Sequence, residues 1–296
     1  MDFTPAELIY GLIGCAFAML LGVGMAKKQA KAFRRRSGED TNTHAEHNNG
    51  LPIVTSIDYG DMRFLHLGSP AVQGSMKISK PFDIHLDYVQ RMMAWMLFAD
   101  LTQLNQLHAM QLGLGAASLT KFCHHHLGMH TTAVDLNPRV IETCRRSFHL
   151  PKDSAKLQVI LGDAQSIASD HLWQGKIDAL QVDLYDQDAA RPVLDSEDFY
   201  RHCRSLLTPH GFMTVNLFGH AYSYAESLEK ITHAFGVDAV WTFKPTAAGN
   251  AIVLALRTPR TCDDASLNAQ AQMIESRWPL PAMKWLKVLS PRQRVM

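Results

Sequence analysis

No pair of cysteines spaced C-x-x-C occurs in this chain, and its five cysteines (Cys15, Cys123, Cys144, Cys203, Cys262) are scattered and odd in number. That usage excludes a disulfide framework and fits reduced thiols in a cytosolic setting. Charge of one sign is lacking too. The 29 Lys+Arg and 28 Asp+Glu leave a formal net charge of +1, which gives no electrostatic case for binding nucleic acid. Internal repeats are not evident. What the 296 residues do allow is one large or two small domains with a proper core.

Charge is absent locally as well. Residues 8–26, LIYGLIGCAFAMLLGVGMA, contain no charged side chain, and KKQAKAFRRR follows at once. At ~1.5 Å per residue such a run about crosses a bilayer core of ~30 Å. Asp2 and Glu7 precede it and the basic cluster follows it. The positive-inside rule then expects a single-pass anchor in the inner (plasma) membrane, with everything after residue 27 cytoplasmic. A cleaved signal peptide would carry its positive charges before the apolar run, and six basic neighbours argue against a buried core helix. Met25 is an alternative start, which would leave a cytoplasmic protein. Gly14, Ala18 and Gly22 have the small-xxx-small spacing that lets two helices approach, consistent with a homodimer. Residues 37–50, SGEDTNTHAEHNNG, are polar without apolar period and form a linker.

From Leu51 the texture changes. IVTSIDYG, MRFLHLGS and AVQGSMKIS are short β-type runs punctuated by Gly, Ser and Pro, which predicts a small meander. HLDYVQRMMAWMLFADLTQ has Leu86, Val89, Met93 and Leu97 at helical spacing and is expected to be a helix. Strands and helices then alternate: LHAMQLGL, ASLTKFCHHHL, HTTAVDLN, PRVIETCRRSFHL with Pro138 in its first turn, KLQVILGDA, KIDALQVDLY, SEDFYRHCRSLLTPHG and GFMTVNLFG. AYSYAESLEKITHAF, VDAVWTFKP and AIVLALRT complete the set. Such alternation implies a parallel, doubly wound α/β sheet, its last two strands closing as an antiparallel hairpin across TAAGN.

The polar residues fall at the carboxyl ends of these strands, which share one rim of a parallel sheet. The first ends in LGLGAAS, the second in Asp135, the third in Gly162-Asp163, the fourth in Asp183 and Asp186. Gly113 and Gly115 let backbone approach a ligand at a helix N-terminus. An acid such as Asp135 can take both ribose hydroxyls of an adenosine group. Asp163, beside the small Ala164, can accept a hydrogen bond from an adenine amino group. Each signal alone has a bland reading, since an Asp closing a strand is commonly a turn or cap residue. In order, on consecutive strands, they point to nucleoside binding. A nicotinamide dinucleotide is the nearest rival, but GLGAAS puts Ser118 where its fingerprint wants a third Gly or Ala.

The run from about Ala71 to Gly219 resembles the polyamine aminopropyltransferases, the spermidine synthase family, which use the class I methyltransferase fold. The likeness rests on Val72-Gln73, Tyr88 on its helix, Gly113-Leu114-Gly115-Ala116-Ala117, Val134-Asp135-Leu136-Asn137-Pro138, Gly162-Asp163-Ala164, Asp183-Leu184-Tyr185-Asp186 and Phe199-Tyr200, all in the family's order. It implies a doubly wound, mostly parallel, seven-stranded sheet. It also implies transfer of an aminopropyl group from decarboxylated S-adenosylmethionine to a di- or polyamine, with methylthioadenosine released. Asp183 would be the general base, with Asp186, Tyr88, Gln73 and Tyr185 on the amine and Gly113, Gly115, Asp135, Asp163 and Ala164 on the nucleoside. No metal is implied. The chain departs from the family at Ala116 and Gln90, where acids are usual, and at Leu184, Tyr185 and Gln187 within the D-x-x-D segment. An S-adenosylmethionine-dependent methyltransferase and a silent, membrane-tethered nucleoside- or polyamine-binding protein are the alternatives.

Three consecutive histidines, His124–His126, with His130, would point in different helical directions and do not converge on one ion. The MMAWM segment is expected to pack in the core. The expected organisation is thus an anchor at 1–36, the linker at 37–50, a β-rich subdomain with its helix at 51–105, a nucleoside-binding catalytic domain at 106–260 and a docked tail at 261–296.

Overall fold

The computed structural model describes residues 50–185, 192–218 and 221–292. The apolar run at 8–26, the basic cluster, the linker up to residue 49, Asp186 and Asp188 lie outside the described residues. Among the described residues, no helix is long and apolar enough to cross a membrane. Residues 53–67 and those from 71 onward form one compact unit.

Three strands, β1 (Val54–Tyr59), β2 (Met62–Leu67) and β3 (Val72–Lys77), make an antiparallel meander. The short helix α1 (Asp87–Arg91) leads to β4 (His108–Leu112), α2 (Ser118–Lys121), β5 (His130–Asp135), α3 (Pro138–Ser147), β6 (Leu157–Leu161), α4 (Ala164–Ser169) and β7 (Ile177–Val182). Then come α5 (Glu197–Leu206), β8 (Leu207–Phe218), α6 (Ala221–Phe235), β9 (Val240–Phe243) and β10 (Asn250–Leu256). The C-terminal segment adds α7 (Asp264–Arg277), α8 (Ala282–Leu286) and β11 (Leu289–Pro291).

The large sheet runs β11-β9-β10-β8-β7-β4-β5-β6. Pairs β4–β5, β5–β6, β4–β7 and β7–β8 are parallel, and β10 lies antiparallel between β8 and β9. The chain therefore starts at β4, winds out to β6, and returns to β7 on the other side. The switch point lies outside the carboxyl ends of β4 and β7, where such sheets open a crevice. Local chemistry supports the helix starts. Asn137 accepts from the Arg139 N–H before Pro138 opens α3, and Ser196 accepts from the Phe199 N–H with Glu197 and Asp198 in the first turn of α5.

The helix expected over SEDFYRHCRSLLTPHG ends at Leu206, and Leu207 already opens β8. Two further expectations change. The segment read as one long helix forms only α1 and a 3₁₀ turn at Ala94–Leu97. Met92 through Phe98 are all buried, not only those on one stripe. Other elements take the carbonyls that an α-helix would use internally: Thr214 Oγ1 donates to Met92 O, and Gln270 Nε2 donates to Met96 O and Ala99 O. The sheet has eight strands instead of seven, because Leu289–Pro291, read as part of a tail, pairs antiparallel with β9. Trp285 on α8 is fully buried and anchors that return.

Under the loop after β4 lies Lys121, only 1% exposed. Its Nζ donates to Phe148 O (2.6 Å), and burial pulls its pKa down to about 8. The unfolded chain keeps an ordinary lysine near 10.5, so between about pH 8 and 10.5 the unfolded state holds more protons and stability rises with pH. Lys121→Met is expected to lose that rise and to melt higher than the parent at pH 7. Thermal melts of both proteins across pH 7–10.5 test this, since contributions from cysteines and tyrosines are common to the two. Parallel curves would show that the buried ammonium costs nothing.

Candidate functional site

At the switch point β4 and β7 come so close that only glycine fits. Gly113 has φ +91°, and a Cβ there would overlap the Asp183 carbonyl oxygen and lie 3.0 Å from its carbonyl carbon. Gly115 (φ +51°) turns the chain beneath β3, where a Cβ would sit 3.3 Å from Gln73 O. Gly74, next to Gln73, closes on the same loop: a Cβ on it would be 2.7 Å from that of Ala116. Ala116 is therefore packed against backbone and 3% exposed, with no room for a carboxylate. Gln90, the other departure, donates its amide to Ile84 O (2.8 Å) and braces its own turn.

Asp135 ends β5 and bridges two loops. Its Oδ2 accepts from the Leu114 N–H (3.1 Å) and its Oδ1 from the Asn137 N–H (2.8 Å). Burial pushes its carboxyl above the usual range, and these two N–H groups work against that. Two acceptor positions remain on the carboxylate. Asp163 caps α4, accepting from the N–H groups of Gln165 and Ser166 and from the Ser166 hydroxyl. Partial burial opposes its ionisation, yet the Ser166 and Gln165 bonds hold its carboxyl below the usual range. The cap role of this residue is thus real, and Ala164 is buried at the first position of α4. Exposed Leu136 and Leu161 flank the two acids.

Asp183 follows β7. Asn216 Nδ2 donates to its Oδ1 (2.8 Å) and the Tyr88 hydroxyl to its Oδ2 (3.3 Å). Burial pushes the carboxyl above its ordinary value despite both bonds. Burial raises the Tyr88 phenol as well, with the neighbouring Asp183 charge adding to it, so Tyr88 stays a donor. Tyr185 turns its ring toward Phe218 (6.5 Å between centroids) and its hydroxyl donates to Asn216 O (2.9 Å). The fold thus brings Asp183, Tyr88 and Tyr185 together beside Gly113, with Asp135 one strand away and Asp163 two.

Asn216, on β8, escaped the sequence reading. Its signal was present, because an Asn inside the apolar strand FMTVNLF must find buried partners. Its neighbour Asn250, at the start of β10, escaped with it. The histidine run offers no centre: His125 stacks on Phe82, His126 bonds Asp83, and His124 is half-buried elsewhere. Among the described residues, no group of three or more His, Cys, Asp or Glu could hold a metal ion.

This sheet order defines a class I methyltransferase-like fold. Comparison with known proteins agrees. The spermine/spermidine synthase domain profile matches residues 102–265. A polyamine aminopropyltransferase of Chromobacterium violaceum is 30% identical over 232 residues, covering 78% of this chain and 86% of the relative. The crystal structure of a probable spermidine synthase from Corynebacterium glutamicum superposes with a TM-score of 0.64 at 15% identity, over 83% of this chain and 94% of that one. Human methyltransferase-like protein 13, solved with SAH, gives 0.58 at 20% identity, over 71% of this chain and 96% of that one. The chain belongs to the spermine/spermidine synthase family.

Asp135→Ala is expected to weaken binding of methylthioadenosine by about ten- to a hundredfold, the ~1.5–3 kcal/mol of hydrogen bonds to a charged group. Calorimetry measures it. Unchanged affinity would make Asp135 a loop brace alone.

Proposed function

We propose that this chain transfers an aminopropyl group from decarboxylated S-adenosylmethionine to a di- or polyamine. The observation that carries this reading is the Asp183 carboxylate, half-buried and hydrogen-bonded at the carboxyl end of β7 next to Tyr88. An alkylammonium must lose a proton before its nitrogen can attack. Asp183 accepts that proton, aided by a carboxyl whose raised pKa makes it a better base. The freed lone pair forms a C–N bond at the carbon next to the sulfonium. The C–S bond breaks, its electrons return to sulfur, and methylthioadenosine leaves as a neutral thioether. Asp135, Asp163, Ala164, Gly113 and Gly115 hold the nucleoside. Tyr88, Tyr185 and Gln73 line the amine, with Asp186 from the segment outside the described residues.

Donor preference tests the reading. Purified protein with putrescine should release methylthioadenosine from decarboxylated S-adenosylmethionine. Release of S-adenosylhomocysteine from S-adenosylmethionine would make it a methyltransferase. No product from either donor, with binding still seen by calorimetry, would make it a silent binder.

The placement of this enzyme is part of the same proposal. The 8–26 run followed by KKQAKAFRRR supports a single membrane anchor, self-association through Gly14, Ala18 and Gly22, and a catalytic domain at 106–260 on the cytoplasmic side with its cytosolic substrates. An apolar helix held by burial stays with membranes through high-salt and carbonate washes. Native protein recovered in the soluble fraction, with its N-terminus mapped to Met25 or later, would overturn the anchor.

A further inference from the structure

The orientation of Asn216 is set from behind. Its Oδ1 accepts a hydrogen bond from Asn250 Nδ2 (3.1 Å), and the two residues are 4% and 9% exposed. Asn250 is itself held at both backbone groups: its N–H donates to Thr246 Oγ1 (3.1 Å) and its carbonyl accepts from the Thr246 N–H (2.7 Å). The side chains of Asn250, Asn216 and Asp183 therefore form a chain of hydrogen bonds with one direction. An ionised carboxylate only accepts, so the Asn216 group facing it must be the NH₂. The Asn216 oxygen then faces Asn250, which must present its own NH₂. A flipped Asn216 would set oxygen against carboxylate and NH₂ against NH₂. Only a protonated Asp183 tolerates the first of those contacts.

We infer that Asn250 is a positioning residue for proton removal: through Asn216, it keeps Asp183 in the ionised form that accepts the substrate proton. The inference rests on the reading of Asp183 as the base. Among the described residues, the other titratable groups facing Asp183 are Tyr88 on α1 and Tyr185 on its own strand end, both held neutral chiefly by burial. From β4 and the residue after it, backbone approaches: Leu112 O accepts from the Asp183 N–H, and Gly113 packs against the Asp183 carbonyl. Among the described residues, no ion pair to Asp183 is formed. The amide chain and the Tyr88 hydroxyl thus supply the hydrogen bonds that favour its charge.

Two substitutions at one position test this. Asn250→Leu removes the donor at similar size. Asn250→Asp keeps the shape but reverses the demand, drawing the Asn216 NH₂ away and turning its oxygen toward Asp183. The acidic limb of the kcat–pH profile is expected to move to higher pH by about one unit, equivalent to about a tenfold loss of turnover below the limb. The shift should be larger for Asn250→Asp than for Asn250→Leu, with KM for both substrates within about twofold. A merely structural role would lower the melting temperature without moving the limb. Titration of the Asp183 carboxyl by ¹³C NMR, assigned by its loss in Asp183→Asn, gives the same shift without any turnover. If the wild-type enzyme turns over neither donor, the mechanism has failed and the titration alone judges the chain. Unmoved titration in both variants would overturn the role of Asn250.

Discussion

Asp183→Asn is expected to lower turnover by about 10²–10⁴-fold, the usual contribution of a positioned base, while nucleoside affinity stays near that of the parent. The substitution keeps the shape. Asn216 Nδ2 can still donate to the side-chain oxygen, and the new NH₂ can donate to the Tyr88 hydroxyl, which reverses its role. Stability should hold or improve. Burial raises the carboxyl pKa in the folded protein, so the ionised form is a cost above that pKa, relieved as pH falls. A neutral amide removes the cost, and melting at pH 8 should be at or above that of the parent. For the same reason, wild-type kcat should fall toward acid along a limb lying above the ordinary aspartate range. Methylthioadenosine release across pH, with melts of both proteins, measures all of this. Full turnover in Asp183→Asn would reduce the carboxylate to a turn residue.

Much of this site was legible in one dimension because period and punctuation report local backbone. Strand runs such as LHAMQLGL and KIDALQVDLY, each closing in glycine or acid, were enough to place Gly113, Asp135, Asp163 and Asp183 on one rim. Whether those acids serve the backbone or a ligand was not legible, and the bonds explain why: Asp135 and Asp163 hold loop or helix N–H groups with part of a carboxylate that has further acceptor positions. Asn216 and Asn250 lie 34 residues apart and meet only through the β8–β10 register, which pairs Asn250 with Phe218 and Ile252 with Asn216. No local pattern carries that register. Helical spacing misled over Met92–Phe98, where burial on all sides let neighbouring side chains capture the carbonyls. Strand β11 is three residues long and its pairing comes from the hairpin edge it meets, which composition does not record.

Gly113→Ala is expected to be the most damaging single-methyl change in the site, costing about 3 kcal/mol or more of stability and about a hundredfold in turnover. Two penalties coincide. The backbone at φ +91° lies where L side chains are strained, and the new methyl would overlap the Asp183 carbonyl oxygen. Relief by movement is blocked on both sides. The Gly113 N–H is bonded to Val134 O (2.9 Å), and the Asp183 N–H to Leu112 O (2.9 Å), so β4 cannot shift without loosening its pairing with β5 or β7. The displacement that does occur falls on Asp183 itself, the proposed base. Gly115→Ala provides the contrast. Its φ of +51° is close to the +58° that Ala117 adopts nearby, and its Cβ would stay 3.3 Å from Gln73 O. That change should cost only about 1–2 kcal/mol. Thermal melts and turnover of the two variants, measured side by side, separate the effects. If Gly113→Ala melted and turned over like Gly115→Ala, the close approach of β4 to Asp183 would not be what fixes the carboxylate.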